Sequence, residues 1–81
     1  MSKLELNKIR GKKANDQMVK AVKERRLELN LTQEYVAYQL GISQNAYSKI
    51  ELFYTELTVA RLAQIAAILE TSIVKLLSAL P

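Results

Sequence analysis

Residues 31–51 read LTQEYVAYQLGISQNAYSKIE, and this stretch decides the fold. Its spacing predicts two short helices joined by a tight turn. Thr32 suits a helix N-cap, where its hydroxyl accepts from an amide of the first turn that lacks a partner within the helix. Glu34 then places negative charge near the positive end of that helix. Leu31 before the cap and Val36 after it stand at the spacing of a hydrophobic staple. Val36, Ala37 and Leu40 share one apolar face. Gly41 takes the left-handed conformation that ends a helix at little cost. Ser43 caps the second helix, Ile42 and Tyr47 repeat the staple around it, and Tyr47 and Ile50 face inward.

Two short capped helices around one glycine turn are the pattern of a helix-turn-helix. The small Ala37 lets the second helix cross the first closely. Left outward on the second helix are Gln44, Asn45, Ser48 and Lys49. Amide side chains suit adenine in the major groove, and lysine suits guanine. A plain solvated helix face carries the same residue types. The helix signals on either side favour base readout over that simpler reading.

The stretch resembles the DNA-binding domain of the phage repressor and Cro proteins, the XRE-type helix-turn-helix. Gln33, Ala37, Gly41, Ser43 and the Ile50-Glu51 pair carry the likeness. It runs on through VARLAQIAAILETSIVKLL and covers residues 18 to 78. The resemblance implies an all-α, five-helix domain of the lambda repressor type. It implies double-stranded DNA as partner and a transcription regulator as function, with helix 43–51 in the major groove. Gln33 matches a family position on the DNA backbone, and Arg26 matches one that pairs with Glu51. The alternative for Arg26 and Glu51 is an ordinary surface role. Ser43 opens a helix whose backbone amides can hold a phosphate.

The totals bound the rest. Eighty-one residues make one small domain, and 49% hydrophobic residues suffice for one core. No apolar run reaches the length of a membrane span, and Met1 is followed by polar and charged residues rather than a signal peptide. Cysteine and histidine are absent, so disulfides, thiol chemistry and the usual zinc ligands are absent with them. No metal or other cofactor is expected, and the expected compartment is the cytoplasm. The formal net charge is +4. Residues 1–26 hold nine basic and three acidic residues, and residues 27–81 hold three and five. Positive charge in the first third favours a polyanion such as nucleic acid, or a solvated tail.

Residues 1–15, MSKLELNKIRGKKAN, read as a basic arm ahead of a helix-turn-helix domain over 16–81, with the motif at 32–51. Leu4 and Leu6 alternate with polar residues, which hints at a short strand, and Gly11 looks like a break. Lys8, Arg10, Lys12 and Lys13 are candidates for DNA-backbone contacts from a mobile arm. The first helix is expected over Gln17–Leu29 with Asn15 or Asp16 as cap. The family pattern has glycine two residues after the matching glutamate, where this chain has Phe53. A bulky aromatic resists the left-handed backbone, so the helix is expected to run longer or its loop to take another path. Thr58 caps a fourth helix that is apolar on most sides and expected to be the buried post of the core. Ser72 caps a fifth helix, whose Ile73, Leu76, Leu77 and Leu80 form the expected homodimer interface.

Three functions follow. The first is a sequence-specific DNA-binding regulator: a phage-type repressor, a restriction-system controller or an antitoxin. An antitoxin would also bind a toxin, with Phe53 and Tyr54 as contacts. The second is a helical protein-interaction module without DNA binding, favoured by the net −2 of residues 27–81. The third is an enzyme, which would need Lys, Tyr or carboxylates as catalytic groups. No pair of these stands out, so no catalytic residue is expected.

Overall fold

Five hydroxyl side chains open five helices. The computed structural model describes residues 2–78, apart from the side chain of Ile9. The helices are α1 (Lys3–Glu28), α2 (Gln33–Leu40), α3 (Gln44–Glu51), α4 (Val59–Ile68) and α5 (Ile73–Leu77). Their caps are Ser2, Thr32, Ser43, Thr58 and Ser72. In each case the hydroxyl oxygen accepts from the backbone N–H three residues on, at 3.0–3.1 Å. The expected all-α architecture of five helices is therefore present among the described residues.

The first four helices also end alike. Asn30, Gly41, Phe53 and Glu70 have φ of 57°, 73°, 68° and 53°. Each donates its N–H to the carbonyl three residues back, and the next residue donates to the carbonyl five residues back. This is the Schellman ending, which satisfies carbonyls the helix leaves over. Phe53 corrects the expectation of a longer helix or a different path. The loop follows the path a glycine would take, with the aromatic held in the left-handed region by those two bonds.

Residues 3–15 are a second correction: they are helical, not extended. Ser2 caps them, and Asn15 and Asp16 lie inside α1. Gly11 weakens a helix by about 1 kcal/mol, which one this long absorbs. Twenty-six residues span about 39 Å at 1.5 Å each. The longest dimension of the molecule is 41 Å, so α1 sets its length. Instead of capping, Asn15 accepts through Oδ1 from the Leu57 N–H at 2.8 Å, which ties α1 to the loop before α4.

The core collects Met18, Val19 and Val22 of α1, Val36 and Ala37 of α2, and Tyr47 and Ile50 of α3. Leu62, Ile65, Ala66 and Leu69 from α4 and its C-cap close it with Leu76 of α5. Arg25 joins α1 to the end of α4, donating from Nε to the Leu69 carbonyl at 3.0 Å and from Nη2 to the Glu70 carbonyl at 3.3 Å. A cation there also suits the negative end of the helix.

α4 is less buried than its composition implies. α2 and α5 cover one side of it, and Val59, Ala60, Ala63 and Ala67 remain exposed. The interface expected on α5 divides. Leu76 is buried in the chain's own core, so its side chain is not on the outer face. Ile73 is half-buried against that core, while Leu77 and Val74 face outward. Leu80 lies outside the described residues.

Candidate nucleic-acid interface

α3 is mounted by its inner face and free along its outer one. Tyr47 and Ile50 are buried in the core, and Glu51 ends the helix in a buried ion pair. Ala37 of α2 is buried beneath the crossing, where a larger side chain would hold the two helices apart. Gln44, Asn45 and Lys49 are exposed, and Ser48 is half-buried beside them. These four are the residues expected to read bases, and they lie along one short helix.

The ion pair links three helices. Arg26 of α1 donates from Nε to Glu51 Oε2 at 2.7 Å and from Nη2 to Oε1 at 2.9 Å. Its Nη1 reaches the Leu31 carbonyl at 2.8 Å, fixing the turn between α1 and α2. Gln33, the first residue of α2, donates from Nε2 to Glu51 Oε1 at 3.0 Å. Burial alone pushes the Glu51 carboxyl up. The bonds from Arg26 and the Gln33 amide more than offset this and hold it below the usual carboxylate range. The bonds to Glu51 raise the Arg26 guanidinium further above its ordinary value, against the opposing effect of burial. Burial pushes the Tyr47 phenol up, with the Glu51 charge adding to it. Tyr47 Oη finds no hydrogen-bond partner among the described residues.

The remaining backbone candidates are spread out. Ser43 accepts from the Ala46 N–H at the start of α3, beside the exposed face. A groove runs along α3, lined by Asn45 and Lys49 on one side and by Glu56, Thr58 and Arg61 on the other. Arg61 is a second cation at this face and is not among the site residues expected from the sequence. Its position three residues after the Thr58 cap, in the turn that meets α3, is the signal that locates it. Lys12 lies across the loop from this groove, within 3.5 Å of Asp16 in an exposed ion pair. Lys13, about 100° further round the helix, is exposed as well.

Among the described residues, no helix is long and apolar enough to cross a membrane. Neither curated proteins nor solved structures give a significant match. A family model described as helix-turn-helix matches residues 22–76, which takes in α2 to α4, the end of α1 and most of α5. The chain belongs to the helix-turn-helix family of the XRE/Cro type.

Proposed function

We propose that the protein is a sequence-specific DNA-binding transcription regulator that reads the major groove with α3. The observation that carries this is the exposed row of Gln44, Asn45 and Lys49 on a helix held rigidly from behind. Base readout needs such a mount, because a bidentate amide contact tolerates little misplacement. Gln33, Ser43, Lys12 and Lys13 hold phosphates and set the register; the α3 side chains set the preference. The protein acts in the cytoplasm as a homodimer, with Leu77, Val74 and the exposed side of Ile73 in the contact. Two copies read half-sites about 34–36 Å apart, one turn of DNA.

The experiment is a selection of bound sequences from random duplex DNA, repeated with Gln44→Ala and Asn45→Ala. Each replacement is expected to cost about 1–3 kcal/mol on the preferred site and to relax preference at one base pair. The same preference from a protein carrying both replacements refutes readout by α3.

A second reading is an antitoxin-type or other protein-interaction module with weak DNA binding. Tyr38 and Tyr54, each 79% exposed, favour it, since aromatic side chains are enriched at protein contacts. Binding of random duplex DNA at two salt concentrations separates the readings. A DNA-binding protein shows affinity that falls steeply with salt, and an interaction module shows little at either.

A further inference from the structure

Two residue choices that weaken the fold meet at one cleft. The cleft is lined by Lys8, Gly11 and Lys12 of α1 and by Phe53, Tyr54 and Glu56 of the loop after α3. Gly11 stands in mid-helix, where glycine is weaker than alanine. No neighbour within the chain requires it, since a Cβ there would meet nothing within 4 Å. Phe53 holds φ at 68°, which an aromatic residue adopts only against steric strain. The same left-handed closure occurs at Asn30 and Glu70, so what sets this position apart is the aromatic ring that the closure holds beside α1.

The chemistry of the walls selects the occupant. Lys8 and Lys12 stand one helical turn apart on one side. Tyr54 stands opposite with its side chain largely exposed. Residues 2–13 carry five basic residues and one acidic residue, a balance that favours a polyanion. Ammonium groups facing aromatic rings fit a sugar–phosphate strand, with phosphate on the cations and deoxyribose on the rings. Glu56 lines both this cleft and the groove along α3. The two are therefore adjoining, and a strand leaving Asn45 and Lys49 can continue into the cleft.

We propose that this cleft holds the backbone of duplex DNA just outside the base pairs read by α3. Lys8 and Lys12 take phosphates, Phe53 and Tyr54 take the sugar, and Gly11 leaves room for the strand to approach the helix. This rests on the DNA-binding reading above and extends its footprint.

The test uses the full chain and two duplexes built on a sequence selected from random DNA. One ends at the selected site; the other carries a full turn of flanking DNA on each side. The Lys8→Ala, Lys12→Ala double variant is expected to select the same sequence as the parent and to lose more affinity on the long duplex than on the short one. On the long one the slope of log K against log salt becomes shallower by about 1.8, or about 0.9 for each lost phosphate contact. Gly11→Leu fills the cleft while favouring helix. It is expected to weaken binding to the long duplex on the order of tenfold as its helical circular dichroism rises. A glycine without a role in binding would gain helix and keep full affinity, and that result overturns the proposal. An unchanged slope for the lysine variant overturns it too, and Gln44→Ala still relaxing base preference would leave the α3 reading intact. A parent chain that selects no sequence at all removes both. If Gly11→Leu loses affinity for phosphatidylserine vesicles but not for either duplex, the cleft belongs to a membrane surface and the proposal falls.

Discussion

Glu51 is the residue on which three helices close. It ends α3 while accepting from Arg26 of α1 and Gln33 of α2. Its folded carboxyl titrates below the ordinary value of 4.5. The pair therefore contributes fully above that value and is lost as pH falls through the lower folded one. Glu51→Gln is expected to cost about 3–5 kcal/mol at neutral pH, because it leaves Arg26 buried and unpaired. Urea unfolding at neutral pH and again well below 4.5 checks this: the gap between parent and variant should narrow in acid. A second test lies at Phe53. Replacing it by glycine relieves strain of about 1–2 kcal/mol and returns part of that as entropy of the unfolded chain. A melting temperature a few degrees higher is expected, and a lower one would mean that the ring's packing outweighs the strain. Neither residue was fully legible beforehand. Arg26 and Glu51 are 25 residues apart, and no local spacing rule joins them, so resemblance alone suggested the pair. The Gln33–Glu51 bond depends on how α2 crosses α3, which periodicity does not specify. At Phe53 the steric argument was sound, but two backbone hydrogen bonds outweighed it.

At the scale of the helix, local chemistry was readable wherever a cap and a staple occurred together. Thr32, Ser43 and Thr58 each had an apolar residue before the cap and another four residues after it. α1 was misread because Leu4 and Leu6 imitate a strand over only two apolar positions. The stronger signal was Ser2-x-x-Glu5, a capping-box signature, and Ser2 Oγ does accept from the Glu5 N–H at 3.1 Å. Gly11 looked like a break and is instead a weak point in a continuous helix. Gly11→Ala is expected to stabilise by about 1 kcal/mol, since the added methyl meets nothing within 4 Å. Circular dichroism and a thermal melt read this together; a drop in either would mean that the helix bends at this point. The burial of α4 was overestimated for a different reason. Apolar composition on most sides implies cover, but in a domain this small α2 and α5 supply it on one side only.

The whole molecule consequently leaves apolar side chains exposed on both α4 and α5. Val59 and Val74 are more than three-quarters exposed, and Leu77 is 44% exposed. A second copy of the chain covers those on α5 in the dimer proposed above. Leu77→Glu is expected to convert a dimer into a monomer in sedimentation equilibrium. It should do so with little loss of thermal stability, because Leu77 contributes less to its own core than the buried Leu76. A parent that is already monomeric at high micromolar concentration ends the dimer reading. The charge asymmetry was legible at this scale from the start. That α1 carries the positive charge along a rigid rod was not, because the helical state of residues 3–15 was missed.

Each of the first four helices ends in bonds that span only three and five residues. Such closures form without waiting for distant parts of the chain. Helix ends are then defined early, and what remains is the docking of short preformed rods. Chains with this kind of locality refold in microseconds to milliseconds. A copy that opens by chance recloses before a protease can cut it. Its lifetime in a cell then follows the equilibrium fraction of open chain rather than the rate of opening. Substitutions that shift that equilibrium, as at Glu51, would change how much of this protein a cell holds before they changed what it binds.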